Sequence, residues 1–405
     1  MKVDPEGAGF DGTRLERLTE HFGDLYVGTG KIPGCQITVF RNGRVAYWRS
    51  LGLMDRERSK PVEDETIWRI YSMTKPITSL ALMQLYERGK VQLTDPVHRY
   101  ISEWRHQKVS ELQPDGSLRT FEPARPMTVR DALMHMTGLA GGLMPGHPTD
   151  DRFAVAIREA RHGMTLEGVC SLLADYPLKF QPGTKWNYGL STDVCARLVE
   201  ILSGEPFDRY LQSNVFDPLG MVDSGFSVPD GSLGRFAACY RHRSGGPPPL
   251  MDDPETSSYR RSRSYLSGAG GLVSTSGDYL RFCQMLLNGG ELDGHRLVSR
   301  KTLDLMTCNH LPGDGELARF ATGGFGEAEF NGVGFGLGFA IGKGPAETAT
   351  AGSAGEYYWG GAASTAFWID PVENLAVVFM TQLIPSVTYP FRPQLRALVY
   401  QALDD

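Results

Sequence analysis

Apolar positions recur at different spacings along this chain, and the changes of spacing mark its sections. Leu15, Leu18, Phe22 and Leu25 lie at helical intervals after the turn signal Asp11-Gly12, which predicts an amphipathic helix within residues 12–28. Two β-rich runs, Cys35 to Phe40 and Val45 to Leu51, flank Arg41-Asn42-Gly43-Arg44, and an Asn-Gly between such runs predicts a hairpin. Behind Pro76, the residues Ile77, Leu80, Ala81, Leu82, Met83 and Leu85 are apolar on nearly every side as far as Gly89. That is the pattern of a buried helix closed by a glycine.

From Asp95-Pro96 to about Gly268 the pattern turns mostly helical. The runs Arg130 to Met136, Phe153 to Arg161, Leu166 to Tyr176 and Ser191 to Ser203 alternate with joints rich in Pro and Gly. Arg241 to Arg263, which contains Gly245-Gly246-Pro247-Pro248-Pro249, has the breakers of a surface loop. Helical spacing resumes at Gly277 to Leu287 and at Ser299 to Met306. Strand patterns follow at Phe335 to Ile341, Ser364 to Ile369 and Leu375 to Met380, and Arg392 to Leu403 closes as a helix. Strands near both ends with helices between them predict an α/β (α+β) fold. Its central antiparallel sheet is drawn from both chain ends and flanked by helices. The expected sheet domain is 1–94 with 265–405, and 95–264 is a mostly helical insert.

Composition narrows the function. At 405 residues with 41% hydrophobic, the chain can build a large core, and its length suits more than one unit of about 150 residues. A net charge of −6, with no basic run, argues against a nucleic-acid partner. Cys35, Cys170, Cys195, Cys239, Cys283 and Cys308 are scattered, without metal-ligand spacing, and read as reduced and mostly buried; no metal or cofactor is expected. The polar start Met1-Lys2-Val3-Asp4-Pro5-Glu6 lacks an apolar signal region. No stretch approaches the roughly 18 apolar residues of a membrane helix, so a soluble, cytoplasmic protein is expected.

The candidate chemistry centres on Ser72-Met73-Thr74-Lys75. Helical residues i and i+3 share a face, so the Lys75 amine can reach the Ser72 hydroxyl. Pro76 is tolerable only near a helix start, which places Ser72 at the N-terminal end. Partial desolvation one turn deeper would push Lys75 towards its neutral form, able to take a proton from serine. Tyr188 follows the turn Pro182-Gly183 and becomes a useful proton carrier beside a cation such as Lys75. Gly360 and Gly361, in Tyr358-Trp359-Gly360-Gly361-Ala362 ahead of a strand, permit close approach of a ligand, and a backbone N–H there could form half of an oxyanion hole. Ala351-Gly352-Ser353-Ala354-Gly355 only approximates a nucleophile elbow, and Ser353 is set aside. His135 has no identifiable acidic partner and reads as structural.

Several stretches have a familiar form. Trp68 to Ile101 includes the nucleophile helix and its continuation through Leu93-Thr94-Asp95-Pro96-Val97. Leu133-Met134-His135-Met136-Thr137-Gly138-Leu139, Pro182 to Tyr188, Pro218-Leu219-Gly220-Met221 and Ser267 to Thr275 follow in consistent order. Together they resemble the serine β-lactamase and penicillin-binding-protein superfamily, in its class C β-lactamase-like branch, and most closely the family VIII carboxylesterases.

The resemblance implies a β-lactamase/transpeptidase-like fold, catalysis by Ser72, Lys75 and Tyr188, and an oxyanion hole made by the N–H groups of Ser72 and Ala362. Two departures bear on the substrate. Leu190 stands where the lactamases and transpeptidases keep an amide-reading asparagine, and Trp359 stands where they keep a lysine that attracts a carboxylate. Both changes point to a small, uncharged ester, with Trp359 and Trp186 as expected pocket walls. The competing readings are β-lactamase or D-Ala-D-Ala peptidase activity, acyl transfer by the same acyl-enzyme, and a non-catalytic binding protein, against which the intact Ser72, Lys75 and Tyr188 argue. The sequence leaves open whether Lys75 or Tyr188 takes the serine proton.

Overall fold

The computed structural model describes residues 2–141, 146–160, 163–323 and 330–405, and an 8-stranded antiparallel sheet lies at its centre. Its strands are β1 (Gly34–Arg41), β2 (Arg44–Asp55), β3 (Lys60–Pro61), β4 (Val333–Phe335), β5 (Ala340–Gly342), β6 (Tyr357–Gly360), β7 (Ala366–Asp370) and β8 (Leu375–Thr381). In space they run β4-β5-β6-β7-β8-β1-β2-β3. β1 pairs with β8 along its whole length, from Cys35 opposite Thr381 to Arg41 opposite Leu375, so the two parts of the chain join in mid-sheet. Both strands are buried throughout, which explains their nearly continuous apolar runs. The β1–β2 hairpin turns at Asn42 and Gly43, both at positive φ, as the Asn-Gly signal predicts.

The helices that matter to the site and the sheet are α1 (Arg17–Phe22), α2 (Thr74–Glu87), α3 (Val129–Leu133), α4 (Pro148–Glu159), α5 (Leu166–Ala174), α6 (Ser191–Ser203), α7 (Ser276–Leu287) and α8 (Phe391–Tyr400), and shorter helices, among them Arg300–Thr307, lie between them. α1 and α8 cover one face of the sheet, where Phe379 meets Phe22 at 5.3 Å and Phe391 at 5.4 Å between ring centres. α7 lies on the other face: its Tyr279 packs on Phe367 and donates to Met73 O at 3.0 Å, which ties α7 to the start of α2. Every residue from Thr74 to Leu85 is buried, so α2 is the all-round buried helix that its sequence predicts. α3 to α6 come from the middle of the chain. α3 begins with a capping box, Thr128 with Asp131, and ends earlier than the predicted Met136 because His135 takes a left-handed φ of 58°. The predicted end of the helix at Arg161 and the reading of Met1 lie outside the described residues.

Three expectations are corrected. Phe335 to Ile341 is a tight hairpin rather than one strand: Gly336 N–H donates to Phe339 O, and Gly338 turns the chain at φ 98°. Residues 357–360 form a strand, β6, and are more than the approach to one; the aromatic side chains pair across the sheet with Phe367 and Trp368. Within 241–263, Leu250–Asp252 pairs with Cys239–Arg241, which in turn pairs with Leu383–Ile384. The cause is a distant residue. The fully buried Arg69 donates to Asp252 at 2.9 Å and to Ser257 at 3.2 Å, and fixes the segment against the body.

Cys35, Cys170, Cys195, Cys239 and Cys283 are buried free thiols, and Cys308 is exposed. Among the described residues, no helix is long and apolar enough to cross a membrane, and no His/Cys/Asp/Glu cluster is arranged to hold a metal ion.

Candidate active site

Ser72 sits in a single turn, Tyr71–Met73, that runs straight into α2. Tyr71 has a φ of 41°, a left-handed conformation that costs a side-chain-bearing residue about 1–3 kcal/mol. This bend redirects the chain from the short strand Trp68–Arg69 into the helix and leaves Ser72 at its N-terminus. Lys75, one turn on and 3% exposed, donates from Nζ to Ser72 Oγ at 3.2 Å and to Ala269 O at 2.7 Å. Pro76 falls within the first turn of α2, where a backbone N–H has no helical partner to lose.

Tyr188 reaches the same point from the loop ahead of α6. Its ring centre is 4.3 Å from Lys75 Nζ, and its hydroxyl accepts from Trp359 Nε1 at 3.3 Å. A polar network holds the loop. Lys179, nearly buried, donates to Asp150 at 2.6 Å and to Asn187 Oδ1 at 2.9 Å, while Asn187 N–H donates to His135 O at 2.8 Å. Backbone bonds from Trp186 N–H to Phe320 O and from Thr322 N–H to Trp186 O fasten the other side.

Trp186 has no exposed surface and stacks on Tyr188 with the planes 27° apart. Trp359 is 1% exposed, with its indole against the phenol. Both indoles therefore pack about the Tyr188 ring. Leu190 is half-buried at the start of α6. Gly360 ends β6, and Gly361 follows at a point where a Cβ would come within 2.5 Å of Ile70 O. The missing side chain lets the end of β6 close on the segment that enters Ser72, and the half-buried Ala362 comes next.

His135 packs behind the phenol, 4.9 Å from Tyr188 between ring centres, with Nε2 3.4 Å from Thr192 Oγ1. Burial, reinforced by the charge of Lys75, holds its imidazole well below the usual range and therefore neutral. Among the described residues its Nδ1 has no hydrogen-bond partner, so no Ser-His-Asp relay runs through it. Ser353 lies in the turn before β6, at the other end of that strand from Gly360. A separate cavity of about 600 Å³ lies against the opposite face of β6 and β7, where the Arg396 guanidinium covers Tyr358 and Trp368.

Residues 15–401 match the family model described as Beta-lactamase. The chain belongs to the Beta-lactamase family. It is 30% identical over 417 residues to the esterase EstB of Burkholderia gladioli, with 98% of each chain covered. It is also 30% identical over 292 residues to the acyltransferase mokF of Monascus pilosus, across 69% of this chain and 67% of that protein. Among solved structures, EstCE1, a hydrolase with promiscuous acyltransferase activity, superposes with a TM-score of 0.79 at 26% identity, covering 96% of this chain and 99% of the other. The β-lactamase/transpeptidase-like fold expected from the sequence is thus the fold observed. The chain is a serine hydrolase of that fold, with esterases among its relatives.

Sequence reasoning did not assign Lys179 and Asp150, the carbonyl of Ala269, or Asp193, which is wholly buried in the first turn of α6. Only the Ser267-Gly268-Ala269 stretch gave a signal, as a family motif without a role. An acid in the opening turn of the helix fed by the tyrosine loop was the available clue to Asp193.

Proposed function

We propose that the protein is a serine carboxylesterase that hydrolyses small, uncharged esters of short to medium acyl chain through an acyl-enzyme on Ser72. The observation that carries this reading is the contact of Lys75 Nζ with both Ser72 Oγ and the Tyr188 ring, with a neutral indole, Trp359, bonded to the phenol. Ser72 Oγ attacks the ester carbonyl, and its proton passes to the Lys75/Tyr188 pair. The same pair returns the proton to the leaving alkoxide, which departs as the alcohol. Water then loses a proton to the pair, attacks the acyl-enzyme, and releases the acid as Ser72 is reprotonated.

The N–H groups of Ser72 and Ala362 are the donors to the developing oxyanion. Trp359 N–H supports negative charge on the phenol without attracting an anionic substrate, and Leu190 adds an apolar side chain where the amide readers keep asparagine.

Ser72→Ala should abolish hydrolysis of p-nitrophenyl esters while Ser353→Ala leaves it intact; equal losses in folded protein would mean the nucleophile is misassigned. In a panel of acyl chain lengths run beside nitrocefin, kcat/KM for the short esters should exceed that for nitrocefin. Comparable nitrocefin turnover would instead favour a β-lactamase or peptidase. Acyl transfer is the second reading, favoured by the similarity to mokF. It would take precedence if an added alcohol captured the acyl group faster than water does.

A further inference from the structure

Beneath Lys75 the main chain is threaded between two helices. Gly268 lies where a Cβ would come within 2.6 Å of Ala196 Cβ on α6 and 3.0 Å of Thr78 Cγ2 on α2, and Thr78 Oγ1 donates to Gly268 O at 2.8 Å. The next residue faces both ways. Ala269 O accepts from Lys75 Nζ at 2.7 Å, and Ala269 N–H donates to Asp193 Oδ1 at 3.3 Å. Ser267 Oγ donates to the same Oδ1 at 2.8 Å. A wholly buried carboxylate is therefore connected to the catalytic amine through the main chain of a single residue, held rigidly by a glycine that admits no side chain.

An isolated buried carboxylate costs several kcal/mol, so the fold keeps one only where its charge is compensated. Two hydrogen bonds and the N-terminal turn of α6 supply part of that compensation. We propose that Asp193 is the buried counter-charge of Lys75, a positioning residue that acts through the Ser267–Gly271 turn and sets the pH at which the site can accept the serine proton. This rests on the esterase reading above.

The other groups facing the pair leave that role to Asp193. The Tyr265 phenol is pushed well above its usual range by burial and then by Asp193, so it remains protonated. The thiols of Cys170 on α5 and Cys195 on α6 are raised in the same way and stay neutral. His135, beside Lys75 and Tyr188, is held neutral by burial. Burial raises the Asp193 carboxyl itself, while Ser267, Lys75, Tyr265 and the Ala269 N–H oppose the rise.

The direction of the effect does not depend on which group is the base. A nearby negative charge favours the ammonium form of Lys75 and disfavours the phenolate form of Tyr188, so it raises both pKa values. Removing it lowers both. For Asp193→Asn, the acidic limb of the kcat/KM profile for a p-nitrophenyl ester should move to lower pH by about 1 unit. Asp193→Glu should return it towards the wild-type position. A purely structural role would lower the rate equally at every pH and leave the limb in place. If Asp193→Asn does not fold, Ser267→Ala, which weakens the hold on the carboxylate, should shift the limb the same way by a smaller step. A profile that superposes on wild type in whichever folded variant is measured overturns the proposal. Ser72→Ala in parallel separates the two claims: full activity there sinks the esterase reading, whereas a dead Ser72→Ala beside an unshifted limb sinks only the role of Asp193.

Discussion

The two sides of the proposed catalytic cluster are held by opposite means. Lys75 stands on a helix that is buried on all sides and Ser72 on the turn that runs into it, so ordinary apolar packing fixes their spacing and the chemistry rides on a scaffold that would be stable without it. Tyr188 stands on a loop whose place depends on the Lys179–Asp150–Asn187 network and on indole stacking. On the first side, stability and reactivity are separable. On the second, the groups that hold the fold also hold the phenol.

The largest effect should come from the helix side and touch activity alone. Lys75→Met keeps a long apolar stem in the buried site but removes the amine, so ester hydrolysis should fall by about 10⁴-fold. Asp193 loses its counter-charge in this variant, but burial already raises its carboxyl and lets it take up a proton in place of the lost charge, so the melting temperature should stay within a few degrees of wild type. A large loss of stability, read by thermal melting, would show that the amine is structural and that the contrast is false.

Asp150→Ala should behave in the opposite way. It leaves the buried Lys179 ammonium bonded to Asn187 but without its counter-charge, a change of about 3–5 kcal/mol in unfolding free energy. Activity should fall as well, because Asn187 and Tyr188 lose their anchor. Urea melts that show a change well below 1 kcal/mol would place the loop under the control of aromatic packing instead.

This difference also explains what could be read from the letters. The Ser72–Lys75 pair, the buried α2, the Asn42-Gly43 hairpin and the α6 boundaries are local patterns, and they were legible because neighbouring residues decide them. β6 was not, because its aromatic and glycine content resembles a turn until Phe367 and Trp368 are placed opposite it. The fixed structure within 241–263 depends on Arg69, remote in sequence and buried, and the anchoring of Tyr188 depends on Lys179 and Asp150. Trp359 could be picked out from its position, but its bond to the phenol could not.

Gly268→Ala probes the point where the two sides meet. An added methyl group there would press on Ala196 and on Thr78, costing about 1–3 kcal/mol and pushing Ala269 away from Lys75. Both stability and rate should drop, in contrast to Lys75→Met. Loss of stability with an unchanged rate would mean that the turn serves packing alone.

The smallest effect is the most discriminating. Trp359→Phe keeps an aromatic ring beside Tyr188 but removes the indole N–H that donates to its hydroxyl, a loss of about 1 kcal/mol, or roughly fivefold in rate. A donor to an oxygen that becomes anionic lowers its pKa, so deleting the donor raises it. If Tyr188 takes the serine proton as a phenolate, the acidic limb of kcat/KM should move to higher pH, opposite to the shift expected for Asp193→Asn. If neutral Lys75 takes the proton and the phenol stays protonated, the rate should fall with the limb unmoved. Two substitutions on opposite sides of the amine thus resolve which member of the pair is the base. A limb that moves to lower pH in Trp359→Phe fits neither assignment and would remove the phenol from the proton path altogether.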